Sequence, residues 1–158
     1  MAIVGDKKHI AFEIGSYWAD SIQQQHITIW IGNKPINPID DVVYLPTFYT
    51  MLKKEIDRIE TNEFIRLDCN GLQPDEIFNR LENEASTMFQ VLNYDSTTCA
   101  AICYFLKYDS KSTILFKYWD DRHKPSEEIG RVYSVDISKD TLLKVMKEAL
   151  GKLSDVWV

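Results

Sequence analysis

Residues 98–137 hold three strand-like runs in succession with only polar links between them, and this stretch does most to confine the chain to folds built on an antiparallel sheet. In 100–108, Ala100, Ile102, Tyr104, Leu106 and Tyr108 fall on one face at a period of two, while Ala101, Cys103, Phe105 and Lys107 fall on the other. Both faces are largely apolar, so both need cover. After the polar link 109–112, residues 113–119 set Ile114, Phe116 and Tyr118 against Leu115, Lys117 and Trp119, which predicts a hairpin. Beyond the charged segment 120–128, the run 129–137 sets Arg131, Tyr133, Val135 and Ile137 against Val132 and Ser134. Together the runs predict an antiparallel meander at the centre of one sheet.

Upstream, residues 9–15 alternate Ile10, Phe12 and Ile14 with Ala11 and Glu13, and residues 26–31 alternate Ile27, Ile29 and Ile31 with His26, Thr28 and Trp30. These half-buried strands predict a second hairpin. Its link, 16–25, holds Tyr17, Trp18, Asp20 and three consecutive glutamines, and should face solvent. Gly32-Asn33-Lys34-Pro35 closes the second strand, because Gly and Asn accept positive φ and Pro cannot continue a ladder. The extended piece 42–45 predicts an edge strand.

Pro46 suits the first turn of a helix, and Phe48, Met51, Leu52, Ile56 and Ile59 follow along one stripe. Phe64, Ile65 and Leu67 predict a short strand that ends at Asn70-Gly71. Pro74-Asp75-Glu76 opens a second helix with its acids at the positive end of the macrodipole, and Ile77, Phe78, Leu81 and Ala85 form its buried face. Residues 88–94 predict a strand leading into the meander. Ser138 is suited to cap a closing helix whose apolar face is Leu142, Leu143, Met146, Ala149, Leu150 and Leu153. With no repeat or linker, 1–158 reads as a single α+β domain: a largely antiparallel sheet of about six strands with two or three α-helices packed on one face.

The net charge of −6 and pI near 5.0 disfavour nucleic acid and anionic membrane as partners and favour a basic one. No signal-peptide layout and no apolar run of about 20 residues occurs, so a cytoplasmic protein is expected. Cys69, Cys99 and Cys103 match no disulfide or zinc spacing and are expected to be free, mostly buried thiols.

Chemical motifs are sparse. Cys99-x-x-x-Cys103 brings its sulfurs together only on a helix, and the following Tyr104 and Phe105 point to a strand. His9, His26 and His123 belong to no nucleophile signature, and the first two read as partly exposed strand-start residues. No phosphate-binding glycine motif occurs. Neither metal nor cofactor is expected, and no catalytic residue is identified. The acidic pairs Asp40-Asp41, Asp75-Glu76, Asp120-Asp121 and Glu127-Glu128 read first as solvated turns or helix starts. The segment 118–128 stands apart: Tyr118 and Trp119 run into Asp120, Asp121, Arg122, His123, Lys124, Glu127 and Glu128. Its ordinary reading is a hairpin link. Trp, Tyr and Arg are also the side chains that dominate protein interfaces, which makes Trp119, Asp120, Asp121, Arg122, Glu127 and Glu128 candidate partner-binding residues, with Trp18 and Asp20 of the 16–25 link next.

Val4-Gly5-Asp6, then Ile10-Ala11-Phe12-Glu13-Ile14, then Ile29-Trp30-Ile31-Gly32-Asn33-Lys34-Pro35-Ile36, resemble the opening of the Immunity protein 42 family of bacterial polymorphic-toxin systems, over residues 4–52. The chain departs from that pattern at Lys7-Lys8-His9, where a more aromatic approach to the strand is expected. The resemblance implies a non-enzymatic inhibitor that binds the C-terminal domain of a cognate toxin one-to-one in the cell that makes the toxin. It sets neither the toxin's activity nor the oligomeric state. Two other readings compete: an adaptor, and a small ligand-binding or catalytic domain with Trp30, Tyr104, Tyr118 and Trp119 around a pocket and Asp120 or His123 acting in it.

Overall fold

The computed structural model describes residues 1–61, 71–83, 90–94, 99–108 and 111–157. The N-terminal alternation produces the expected hairpin, β2 (Ile10–Tyr17) against β3 (Gln24–Ile31), with Ile10, Phe12 and Ile14 opposite Ile31, Ile29 and Ile27. All six are buried. A strand the sequence reading did not anticipate, β1 (Ala2–Asp6), pairs with the free edge of β2. Its only buried side chain is Val4, and so short an alternation is a weak signal.

The far edge of β3 is built in pieces. Gly32 and Asn33, at φ +57° and +65°, make a two-residue turn into β4 (Lys34–Pro35), and β5 (Val42–Tyr44) pairs with the opposite end of β3. Positive φ at both central residues is the requirement of a tight hairpin turn. A Cβ on Gly32 would stand 2.7 Å from Val135, so the turn also needs glycine for close approach to the second sheet. Between β4 and β5 a side chain takes over the ladder. Buried Asn37 accepts from the Ile29 N–H at 2.9 Å and donates to the Ile27 carbonyl at 2.7 Å, each bond contributing about 1 kcal/mol net.

The meander forms, but as its own sheet: β6 (Ala101–Tyr108), β7 (Lys111–Tyr118) and β8 (Val132–Asp136), all antiparallel. The fold is therefore α+β with eight strands in two sheets and three helices, where one sheet with helices on a single face was expected. Apolar residues on both faces of β6 and β7 are the reason. Ala101, Cys103, Phe105, Ile114, Phe116 and Tyr118 join the main core, which they share with the first sheet, α1 (Leu45–Thr61) and α3 (Lys139–Trp157). Tyr104, Leu106 and Leu115 face the other way, under Ile77, Phe78 and Leu81 of α2 (Pro74–Asn83). Burying each such side chain contributes about 1.5–3 kcal/mol.

The helix starts follow the sequence. Pro46 lies in the first turn of α1, Asp75 and Glu76 in that of α2, and the Ser138 hydroxyl accepts from the Thr141 N–H at 3.1 Å. Met51 is a correction: it is exposed, while Leu45 joins Phe48, Leu52, Ile56 and Ile59 in the core. Of the predicted strand 88–94, the described part makes one isolated bridge, Gln90 to Tyr104. Phe64, Ile65, Leu67, Cys69 and Ala85 lie outside the described residues. The hairpin pairing reaches Tyr108 opposite Lys111, two residues further into the predicted 109–112 link than expected. No helix among the described residues is long and apolar enough to cross a membrane.

Candidate partner-binding loop

Residues 119–131 connect β7 to β8, and the loop is held at both ends. The Trp119 N–H donates to the Ala100 carbonyl at 3.2 Å, and the Gly130 N–H donates to the Tyr118 carbonyl at 3.0 Å. Inside the loop, His123 is buried. Its ring stacks on Tyr118 with centroids 3.7 Å apart, and Nε2 lies 2.9 Å from Glu128 Oε1. Lys34, the first residue of β4, also pairs with Glu128 and sits 4.7 Å over the Tyr133 ring. The Tyr118 hydroxyl donates to the Pro35 carbonyl at 2.6 Å. The loop is thus fixed to the end of the first sheet as well as to its own strands. Glu128 is held below its usual value, first by the Lys34 hydrogen bond and then by His123, against the opposing effect of burial.

Asp120 has a different partner. Its two carboxylate oxygens receive Nε and Nη2 of Arg122 at 3.0 and 2.7 Å, and Oδ1 also accepts the Arg122 backbone N–H at 2.9 Å. These hydrogen bonds lower its pKa from 3.8 to about 2. A fork of this kind makes the pair rigid and removes most of the acid's charge from view.

Of the predicted set, then, the structure splits the acids. Asp120 and Glu128 hold the loop's shape, whereas Asp121 and Glu127 are exposed. Arg122 is exposed along its side chain but is engaged by Asp120. Trp119 is 50% exposed despite a hydrogen bond from its side chain to the Cys99 sulfur. Trp18 and Asp20 are exposed too, in the β2–β3 link, where the Trp18 N–H bonds the Gln24 carbonyl at the start of β3. Lys34 faces Ile31 at the other end of that strand. Lys34 and Tyr133 are the anchors that sequence reasoning missed. Nothing local in a β4 lysine marks a partner 94 residues away.

The aromatic pocket of the competing reading is not formed. Tyr104 and Tyr118 are buried on opposite faces of the second sheet, and Trp30 lies on the outer face of the first, donating to Glu13 at 2.8 Å beneath the Lys7 ammonium. His26 pairs there with Asp41 at 2.8 Å beside a shallow hollow. Cys99 is half-buried and Cys103 buried, both as free thiols, and burial pushes both above the usual thiol range. Among the described residues, no group of three or more His, Cys, Asp or Glu side chains gathers to hold a metal.

The fold defines a two-sheet α+β protein that presents a braced acidic-aromatic loop. No family model and no curated protein matches the chain. Among solved structures it is similar to CdiI from Burkholderia dolosa AUO158, with a TM-score of 0.68 over 96% of this chain and 99% of that one, at 12% sequence identity. At that identity the likeness is one of fold.

Proposed function

We propose that this chain is a non-catalytic immunity protein that binds and neutralises the toxin domain of a cognate bacterial contact-dependent inhibition system in the cytoplasm. The observation that carries the reading is the fold shared with CdiI, a contact-dependent inhibition immunity protein, over nearly the full length of both chains. The N-terminal resemblance supports the narrower assignment to Immunity protein 42. The loop between β7 and β8 supplies a docking element of the right chemistry, an exposed Trp119 beside Asp121 and Glu127 on a frame already fixed before binding. A prefixed frame loses little conformational freedom on association. If the toxin is a nuclease with a basic cleft, an acidic inhibitor is steered toward it, raising association by ~10–10³ at low salt.

The test is coexpression with the toxin domain encoded beside this gene. One-to-one copurification together with rescue of growth is expected, and failure of both overturns the reading. Trp119→Ala in the folded protein should cost at least ~2 kcal/mol in binding, chiefly by faster dissociation. Charge reversal at Asp121 and Glu127 should slow association and flatten its salt dependence.

A further inference from the structure

The two candidate regions, 119–128 and 16–25, are separate in sequence; the first is tied to β4 beside the end of β3, and the second leads into its start. Between them the segment 34–44 runs along the outer edge of that strand, from Lys34 opposite Ile31 to Tyr44 opposite Gln24. Lys34 holds Glu128 at one end. Midway, exposed Asp40 is held by the Val42 N–H, which donates to Oδ1 at 3.0 Å, and its charge adds a minor part to the raised pKa of Arg122, which Asp120 dominates. At the other end, the Trp18 N–H bonds the Gln24 carbonyl at 2.9 Å and the Leu45 N–H bonds the Gln23 carbonyl at 2.8 Å. That pairing sets Trp18 across Gln24 from Tyr44, and Ile22 next in sequence to the Gln23 that Leu45 bonds.

We infer that these parts make one docking strip along the edge of the first sheet, reaching from Trp119 past Asp40 and Tyr44 to Trp18 and Ile22, and that it receives a basic protein surface. The inference rests on the toxin-binding reading and enlarges its site to residues outside the acidic loop. Two independent observations support it. Four of the seven large apolar side chains exposed among the described residues lie on the strip: Trp18 at 48%, Ile22 at 78%, Tyr44 at 44% and Trp119 at 50%. Exposed apolar groups gathered in one region mark interaction surfaces more than scattered ones do. The segments 18–22, 34–44 and 119–128 also carry seven carboxylates against three cations, which leaves −4 of the chain's −6, with His neutral. Such a strip repels a second copy of itself and an anionic membrane alike, so its complement is a basic protein face with pockets for aromatic side chains.

The experiment measures binding rates to the toxin domain encoded beside this gene. The variants are Asp40→Lys, Tyr44→Ala, Trp18→Ala and Ile22→Ser, with Ile3→Ser on the opposite edge strand as control and thermal unfolding as the check on folding. Asp40→Lys should slow association several-fold at low salt, with the difference vanishing at high salt. Tyr44→Ala and Trp18→Ala should each speed dissociation about tenfold, and Ile3→Ser should change neither rate. Ile22, the most exposed of the set, keeps the test valid if an aromatic variant unfolds, because its replacement touches no core. The inference is overturned if the parent binds and the folded strip variants bind as tightly as it does. If the parent itself does not bind, the toxin-binding reading fails first, and with it the strip.

Discussion

His123 Nε2 lies 2.9 Å from Glu128 Oε1, and the same carboxylate takes Lys34 from the other sheet. A buried imidazole and a lysine from a distant strand thereby converge on one acid, which makes Glu128 the joint between the β7–β8 loop and the first sheet. Breaking such a joint leaves the partners' polar groups without their acceptor. Glu128→Ala should cost about 2–3 kcal/mol in a urea titration, and hydrogen exchange should quicken at the loop amides of Glu128, Ile129 and Arg131 before the rest of the second sheet responds.

The Asp120–Arg122 fork predicts an acid-sensitive loop. The carboxyl pKa is lowered on folding, so the stabilisation it brings is present above 3.8 and is lost as pH falls through about 2. Trp119 fluorescence should change across that window in the parent and change less in Asp120→Asn, which keeps Glu128 but lacks the carboxylate that Arg122 holds.

Glu55 predicts the opposite slope. This carboxylate of α1 accepts from the Tyr94 hydroxyl and from the Leu92 N–H, the latter at 3.0 Å, and burial raises its pKa above 4.5 despite those bonds and Arg58. The folded state therefore holds its proton more firmly than the unfolded chain does. As far as this group goes, stability rises when pH drops from neutral toward 4.5. Glu55→Gln should remove that slope and stay within about 1 kcal/mol of the parent at neutral pH. Glu55→Ala leaves the Leu92 N–H and the Tyr94 hydroxyl without an acceptor and should cost about 2–4 kcal/mol.

Covering both faces of the β6–β7 hairpin should place it among the slowest-exchanging parts of the chain. Amides of Cys103, Phe105, Ile114 and Phe116 should exchange only by global unfolding, whereas those of the 18–23 link should exchange far faster. Comparable rates in the two regions would contradict this packing.

The sequence made period and caps legible, and with them most elements. The alternation of Ile10, Phe12 and Ile14 with Ile27, Ile29 and Ile31 identified the first hairpin, and Ser138 with its apolar stripe identified α3. The two-faced apolar character of β6 and β7 showed that both faces are covered, but periodicity does not say by what. The split into two sheets, with α2 on the outer face of the second, comes from tertiary packing. The loop's composition was visible, but its division of labour was not. Asp120 and Asp121 are neighbours of one type, and only the position of Arg122 makes the first a structural anchor and leaves the second exposed.

Asn37 has a consequence for how this protein can diversify. Because its amide closes the ladder on Ile29 and Ile27, and the Ile27 N–H then reaches the Asp41 carbonyl at 2.8 Å, residues 38–40 are looped out of the sheet without leaving a gap in it. Exposed Pro38 can be exchanged while the strands on either side keep their register, whereas Asp40 Oδ1 accepts the Val42 N–H at 3.0 Å and helps to start β5. Change at this edge is therefore tolerated at Pro38 as long as Asn37 is kept, and Asn37→Ala should make that latitude disappear.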